Sequence, residues 1–358
     1  MTMPNLSNPE FGRRHFAWIM FAAFLCYLPL IMPLSSLSIH VIRDWGMSNF
    51  LAGAAAGAAF LSTFLFRKSA GDLADRVGGK ICFVRGSVLY IAGGLVALFS
   101  SWDVLPIPIA YALLVLGRLI LGFGESLTNV GVGHWCIGRT GMARAGRVMA
   151  THGMCLYATV AFGGWIGFSL YEWIGFGSVL LICVVAPILG LAIALRSPEA
   201  APPVPRDVIG KLGIFDVVGR IWRLSVPCGL HAVAFAVPGA FLSKTFLDRG
   251  WEYAGIAFTV TGVGFVCMRL AIGNLPDRWG GLSVARLSGS VAFLGACLLW
   301  LAPGPYPALL GAFFSGAGCS MVYPSIALEV VLLSPEAIRG VSMSANVIFI
   351  DIAYCFSG

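Results

Sequence analysis

The sequence is dominated by apolar runs that are long enough to cross a lipid bilayer. About 20 apolar residues span the hydrocarbon core, and in lipid only helices and closed barrels satisfy the backbone hydrogen bonds. The short alternating strands typical of a barrel do not occur here, so the pattern predicts an all-α polytopic membrane protein. The eleven predicted spans are 16–40, 48–66, 81–101, 104–128, 148–171, 176–195, 224–246, 253–272, 284–302, 305–330 and 340–358.

Composition excludes most other classes of protein. Hydrophobic residues make up 58% of the chain and charged residues 11%, whereas a soluble domain averages about 25% charged residues. The ten cysteines are scattered without a C-x-x-C pair, which indicates neither a disulfide framework nor a zinc site. The GFG at Gly122–Gly124 lacks the Lys-Ser/Thr of a phosphate-binding loop, and no nucleophile–base set stands out. We therefore expect no enzyme activity, no cofactor and no metal site.

The positive charges lie mostly on one side of the predicted spans. With a cytoplasmic N-terminus, 19 of the 23 Lys and Arg residues fall on the inner side and three on the outer side. This asymmetry predicts that orientation and explains the net charge of +7 without a nucleic-acid partner. The polar N-terminus leads into the first span without a small-residue cleavage site, which indicates an uncleaved helix. The expected location is a bacterial inner membrane, with lipid as the surroundings and a monomer as the working unit.

A charged loop occurs twice between apolar spans. Arg67–Gly79 reads RKSAGDLADRVGG, and Arg269–Gly281 reads RLAIGNLPDRWGG, with seven of 13 positions identical. Glycines and a final serine recur in the same way in span four (Gly117–Ser126, GRLILGFGES) and span ten (Gly311–Ser320, GAFFSGAGCS). The spacing predicts two parallel halves, residues 1–196 and 223–358 with the second incomplete, which fits one known transporter architecture.

Residues 197–222 form the predicted cytoplasmic linker between the halves. Ser197–Arg206 is rich in proline and is expected to be extended. Val208–Trp222 has apolar residues at helical spacing, which favours an amphipathic helix on the membrane surface. The alternative interpretation makes this stretch the start of span seven.

These motifs resemble those of a known family. Gly71–Lys80 (GDLADRVGGK) resembles the cytoplasmic signature of the major facilitator superfamily, between its second and third helices. The span-four motif and GAGCSMVYPSIALEVV at 316–331 resemble bacterial arabinose-efflux-like permeases and related exporters of nicotianamine-like metallophores. The resemblance implies a secondary active transporter that moves a small polar solute, such as a sugar or an amino-carboxylate, by proton-coupled export.

Two departures from the family pattern keep alternatives open. The superfamily has twelve spans, whereas this sequence stops at Gly358 within the eleventh, so a truncated, non-transporting membrane protein is one alternative. Related antiporters carry a proline-containing kink in span five, where this chain has Trp165. That difference favours the other alternative, a proton-coupled uptake symporter.

The resemblance also implies a cytoplasmic gate at the repeated loop. Asp72 and Asp75 would face Arg76, Arg67 and a helix N-terminus of the other half, where a carboxylate gains about 0.3–1 kcal/mol. Glycines in the loop would allow tight turns and close backbone approach. The alternative is a loop that only fixes orientation, but it does not explain the repeated Gly and Asp spacing. The predicted gate residues are Arg67, Gly71, Asp72, Asp75, Arg76, Gly78, Arg269, Gly273, Asp277 and Arg278.

Ionisable residues within spans are the sharpest candidates for a transport site. A charge at the bilayer centre costs at least about 2.5–3.5 kcal/mol, and Arg118 and Glu125 share one face of span four, about 10.5 Å apart along its axis. Burial favours the neutral form of a carboxyl group, so Glu125 is a candidate proton site. Arg118 suits a substrate carboxylate, and a structural ion pair between helices is the alternative. Asp351 and His231 are further candidates for proton or substrate binding.

Aromatic and small residues complete the prediction. Tyr27, Trp165 and Tyr323 are candidates for lining a substrate cavity, although membrane aromatics more often serve packing. His134 and His152 are placed at the cytoplasmic rim. The glycines of GAAAG at 53–57 predict a close helix contact without a chemical role.

Overall fold

The structure is a computed structural model that describes residues 13–141, 145–198, 214–273, 275–334 and 339–357. Its secondary structure there is helical, as predicted. A π-helical turn at His40–Asp44 follows α2. The α-helices are α1 (Arg13–Ile31), α2 (Leu34–Ile39), α3 (Asn49–Val77), α4 (Gly79–Phe99), α5 (Ile107–Thr140), α6 (Ala145–Trp173), α7 (Phe176–Arg196), α8 (Ile214–Asp248), α9 (Ala254–Ile272), α10 (Leu275–Trp279), α11 (Gly281–Leu301), α12 (Pro305–Leu333) and α13 (Arg339–Ser357).

The helices follow the order of the predicted membrane spans. Ten helical segments of the described chain are long and apolar enough to cross a membrane, the first of them Arg14–Asp44. The eleventh predicted span coincides with α13, whose apolar part is the shorter Ala345–Phe356. The prediction of an all-α polytopic membrane protein is confirmed. Because the chain crosses the membrane once with each span, Gly78 after the second span and Gly280 after the eighth are expected on the same side. We call that side the signature side and the other the opposite side.

Several helices continue well beyond the apolar runs that predicted them. Span two was predicted to end at residue 66 and span four at 128, but α3 reaches Val77 and α5 reaches Thr140. Charged residues end an apolar run without ending a helix. Both helices end at a glycine with positive φ, Gly78 at 87° and Gly141 at 83°, a conformation that glycine adopts without steric cost.

The first span is broken, although the sequence predicted one uninterrupted helix. Its two α-helical parts, α1 and α2, are separated by Met32 and Pro33. Proline has no N–H to donate and its ring clashes with the preceding turn, which explains the break. The last carbonyl groups of α1 therefore need partners from elsewhere.

The described part of the linker belongs to span seven. Because α8 begins at Ile214, residues 214–222 continue directly into the seventh span. For these residues the structure shows the alternative interpretation, and a separate surface helix is wrong. Residues 199–213 of the predicted linker lie outside the described part of the chain.

The chain divides into two compact units, and they do not follow the predicted halves residue by residue. The first unit contains the described residues within 13–33, 62–159 and 170–198. The second contains those within 34–61, 160–169 and 214–357. Segments of spans one, two and five thus pack with the C-terminal helices.

Glycines of the repeated span-four and span-ten motifs lie at helix crossings. In the first unit α5 packs closely on α4, where a Cβ at Gly117 would lie 2.7 Å from the Gly93 carbonyl oxygen. In the second unit a Cβ at Gly311 would lie 2.7 Å from the Leu299 backbone nitrogen of α11. Small residues let membrane helices approach closely, so the repeated glycines preserve one packing geometry in both halves.

Within the second unit, the opposite-side ends of spans one, two and five contact the C-terminal helices. These contacts include both polar bonds and close backbone packing. They are the Ser38 hydroxyl donating to the Ala240 carbonyl (2.6 Å), the Arg43–Asp248 ion pair (3.1 Å), Gly57 against the Cys355 carbonyl, and Gly262 against the backbone of Ala161. The GAAAG glycine at position 57 thus makes the predicted close helix contact.

A groove of about 460 Å³ lies between α8, α11 and α12 in the second unit, with Arg223, His231 and Arg286 among its lining. In the first unit, α7 packs against α1 and α4, which are the repeat counterparts of α8 and α11.

Candidate functional site

Glu125 is the buried carboxylate of span four. This residue is 5% exposed. Asn129, one turn further along α5, donates its amide N–H to Glu125 Oε1 at 2.8 Å. The second oxygen, Oε2, is buried and has no hydrogen-bond partner. A buried acceptor without a hydrogen bond is costly, so the burial of Oε2 is not offset as that of Oε1 is.

Arg67 faces Glu125 from span two. Its Nη2 lies 3.9 Å from Glu125 Oε2, within ion-pair range but beyond hydrogen-bond distance. The approach is fixed by two bonds between α3 and α5. The Thr63 hydroxyl donates to the Gly122 carbonyl at 3.0 Å, and the Ser126 hydroxyl donates to the Thr63 carbonyl at 3.1 Å. Arg67 was predicted as a gate residue, and the structure places it at the candidate proton site.

Arg118 and Glu125 have different partners. Its side chain is fully enclosed, at 1% exposure, and its Nη1 donates to the Leu30 carbonyl at 3.1 Å. Leu30 lies in the last turn of α1, where carbonyl groups lack intrahelical partners and a positive charge is favourable. Arg118 thus caps the broken end of span one.

Tyr27 and His152 form a buried pair. The Tyr27 hydroxyl lies 2.5 Å from His152 Nε2, joining span one to span five. Tyr27 was predicted to line a cavity, and its side chain is fully buried. His152 was placed at the rim because span five was predicted to begin at residue 148. Since α6 already runs from Ala145, His152 lies two turns inside the helix and is buried.

The first copy of the signature is mainly helical. The predicted charged turn is helical at four of its positions, since α3 includes Gly71, Asp72, Asp75 and Arg76. The chain turns only at Gly78. A Cβ at Gly71 would meet nothing within 4 Å, and the expectation that this glycine permits a turn or a close approach is wrong. The Asp75 carboxylate lies 3.8 Å from His134 Nδ1 of α5.

The second copy is interrupted by a proline. Pro276 stands where the first copy has Ala74, and the helix is divided into α9 and the short α10. Arg269 donates to the Ser320 carbonyl of α12 at 3.0 Å. Gly273 follows α9 as its C-cap, and Arg278 is exposed. Asp277 belongs to α10, and its side chain lies outside the described part of the structure.

The sequence over residues 19–358 matches the family described as the Major Facilitator Superfamily. The chain belongs to the major facilitator superfamily. This is a family of transporters and not of enzymes, and the protein is accordingly a multi-pass membrane transporter of the superfamily.

Similar proteins in bacteria carry the same family name. The chain is 36% identical over 342 residues to an uncharacterized MFS-type transporter of Salmonella typhimurium, covering 94% of this chain and 86% of that protein. It is 33% identical to an uncharacterized MFS-type transporter of Burkholderia mallei, with coverage of 94% and 81%. The resemblance predicted from the motifs is confirmed at the level of the superfamily.

Solved structures show the same major facilitator fold. A D-xylose-proton symporter matches with a TM-score of 0.70 at 17% identity, covering 95% of this chain and 87% of that one. The POT family transporter PepTSo matches with a TM-score of 0.75 at 12% identity, covering 96% and 88%. At these identities the likeness shows the fold alone.

The remaining predicted residues of this superfamily member are spread over the second unit and the outer part of α6. Asp351 is buried in α13, and His231 lines the groove between α8 and α11. Tyr323 packs against the apolar core around Cys228, whereas Trp165 is 49% exposed. The structure brings Glu125 and Arg67 together in the first unit, and these four residues belong to the second unit.

Proposed function

We propose that this protein is a secondary active transporter that couples proton movement to the export of a small polar solute, and that Glu125 is its proton site. The solute is a sugar or an amino-carboxylate, as the family resemblance implies. The N-terminus is placed in the cytoplasm by the distribution of Lys and Arg, and the inner membrane of a bacterium is the proposed location.

The observation that carries the proposal is the incomplete bonding of Glu125. The carboxylate is buried within span four, and one of its oxygens lacks a hydrogen bond. Arg67 approaches that oxygen at 3.9 Å. Ionisable residues within membrane spans mark proton and substrate pathways, and this geometry supports Glu125 as the proton site.

Contacts between halves support alternating access as the mechanism. On the opposite side, segments of spans one, two and five are bound to C-terminal helices by the Arg43–Asp248 ion pair and the Ser38–Ala240 hydrogen bond. A pair with side chains 43% and 44% exposed is worth about 0–1 kcal/mol, so it can break in each cycle. We infer that the repeated signature closes the other side in the alternate state.

Glu125→Gln tests the proton site directly. The purified protein is placed in liposomes loaded with a pH-sensitive dye, and panels of sugars and amino-carboxylates are added in turn. The wild type is expected to move protons with one class of solute. Glu125→Gln should lose proton-driven transport but keep solute exchange without a gradient, because the amide cannot release a proton.

Three outcomes of that assay contradict the proposal in different ways. Gradient-driven transport that survives Glu125→Gln removes Glu125 as the proton site. Driven accumulation in the direction of the proton flow replaces export with uptake. No saturable solute movement in the wild type supports a non-transporting protein.

Proton-coupled uptake is the second candidate, and the shape of span five favours it. The α6 helix runs uninterrupted from Ala145 to Trp173 without an internal proline, and Trp165 stands at the position of the kink in related antiporters. Vesicles of known orientation with an imposed gradient distinguish export from uptake.

A further inference from the structure

One polar side chain of the second unit is buried without the hydrogen bonds that its chemistry requires. Asn346 lies in the apolar part of α13 and is fully buried. Neither its Nδ2 nor its Oδ1 has a hydrogen-bond partner among the described residues. An unsatisfied buried donor or acceptor destabilises a folded protein, and polar residues inside a membrane mark functional sites. This amide is therefore a candidate binding group.

Asn346 lies where α13 packs against α8. A Cβ at Gly229 of α8 would lie 2.9 Å from the Phe349 carbonyl oxygen of α13, so the two backbones approach closely there. Both helices are odd-numbered spans and run in the same direction, so this contact places Ser225 of α8 within one residue of the level of Asn346. The Cys228 thiol of α8 faces the amide, but a thiol forms only weak hydrogen bonds. The amide thus points into the crossing of α8 and α13.

Two serines extend the polar surface of this crossing. Ser225 lies three residues before Cys228, and Ser342 lies four residues before Asn346, so each serine shares a helix face with that residue. Both hydroxyl groups are buried and have no hydrogen-bond partner in the part of the chain that the structure describes. We call Ser225, Cys228, Ser342 and Asn346 the crossing cluster. It borders an apolar core that includes Cys228 and Ala345, where unpaired polar groups are most costly.

The first unit has a hydrogen bond at the corresponding crossing. The separation in sequence that relates Gly117 to Gly311 also relates His152 to Asn346. The Tyr27 hydroxyl of α1 lies 2.5 Å from Nε2 of His152 in α6. The first half therefore satisfies the polar group of this crossing with a side chain of its own.

The second half has a glycine where the first half has this tyrosine. The separation between the two signature copies relates Tyr27 to Gly229, next to Cys228. Glycine has no side chain, and a thiol is a weaker hydrogen-bonding group than a phenol. Asn346 thus keeps both its donor and its acceptor for another molecule.

We infer that the crossing cluster binds the transported solute and that Asn346 binds a hydroxyl group of it, so that the solute is a sugar or another polyol and not an amino-carboxylate. An amide with a free donor and a free acceptor is satisfied by a group that both accepts and donates, as a hydroxyl does. A carboxylate only accepts, and the crossing cluster carries no positive charge to bind it. The cluster is enclosed in this conformation, so the solute would reach it when the α8–α13 crossing opens. The inference rests on the proposed transport of a small polar solute and narrows its class.

Thermal unfolding without solute tests whether the amide is kept at a cost. Asn346→Leu replaces it with an apolar side chain of similar size, so the midpoint of unfolding should rise. Asn129→Leu is the matched control and should lower the midpoint, because the Asn129 amide donates to Glu125 Oε1 at 2.8 Å. A loss of stability in Asn346→Leu like that in Asn129→Leu would show that Asn346 serves the fold, through a bound water or a neighbouring group, and overturns the inference.

Binding to the purified protein tests the class of solute. Aldopentoses, aldohexoses and their alditols form one panel, and the proteinogenic amino acids form the other. A solute that binds only the folded protein raises its unfolding midpoint, and we expect this of a member of the first panel. Asn346→Leu should bind that solute at least about tenfold more weakly, since it loses two hydrogen bonds. Ser225→Ala is a smaller change that should also weaken binding while keeping the stability of the wild type.

The possible results separate the inference from the function on which it rests. Stabilisation of the wild type by an amino acid and by no polyol overturns the class of solute. Polyol binding that is equally tight in wild type, Asn346→Leu and Ser225→Ala overturns the site and leaves transport intact. A wild type that neither binds nor moves any member of the two panels overturns the proposed transport, and the inference with it.

Discussion

At the scale of single residues, three charged side chains in the spans of the first unit have different partners. Glu125 has an oxygen without a hydrogen bond, Arg67 lies near it, and Arg118 binds the end of α1. A sequence shows that a charge lies in a span, but the partner of the charge decides its function. Arg118 and Glu125 share a helix face, and yet Arg118 faces α1 while Glu125 faces α3.

Arg118→Met should destabilise the protein without changing its proton coupling. The substitution removes a charged donor from the Leu30 carbonyl, and hydrogen bonds to charged groups contribute about 1.5–3 kcal/mol. Thermal denaturation in detergent should therefore begin at a lower temperature, while proton-driven transport in liposomes stays coupled. If Arg118→Met instead keeps its stability and loses solute binding, Arg118 is a substrate ligand, as the sequence first suggested.

At the scale of helices, packing depends on glycines at crossings and on prolines and glycines at ends. The α4–α5 crossing brings backbones together at Gly93 and Gly117, and Pro33 breaks span one. Gly78 ends α3 with a positive φ of 87°. These positions fix where Arg67, Glu125 and Arg118 lie along their helices.

Gly93→Ala should destabilise the α4–α5 crossing. A Cβ at position 93 would lie 2.7 Å from the Gly117 carbonyl oxygen and 2.8 Å from the Leu121 backbone nitrogen. Such overpacking typically costs about 1–3 kcal/mol, and the midpoint of thermal unfolding should fall. Gly289→Ala is the control, because a Cβ there meets nothing within 4 Å and alanine favours helix. A similar loss of stability in both variants would refute the packing explanation.

At the scale of the whole molecule, segments of the N-terminal spans pack with the C-terminal helices on the opposite side. The contacts combine weak polar bonds with close backbone packing, such as Gly57 against the Cys355 carbonyl. Contacts of small individual strength suit the alternating-access movement proposed above.

Gly57→Trp should keep the opposite side open. A Cβ at position 57 would already lie 2.7 Å from the Cys355 carbonyl oxygen, so an indole cannot fit between α3 and α13. Spin labels at Ser48 and Glu252, both exposed on that side, should show longer distances in the variant than in the parent protein. An unchanged distance distribution in a folded Gly57→Trp protein would contradict the proposed movement.

The sequence by itself determined the helical membrane fold, the order of the spans, the repeat and the superfamily, because apolar length, charge placement and motif spacing are local properties. It also identified Glu125 as an ionisable residue within a membrane span and so as a candidate site. Only the tertiary structure decided the partners: Arg67 at Glu125, Arg118 at Leu30 and His152 at Tyr27. The ends of α3 and α5 differed from prediction because polar residues end an apolar run while the helix continues to the next positive-φ glycine. Contacts between helices far apart in sequence depend on how their faces pack, and no local pattern records that arrangement.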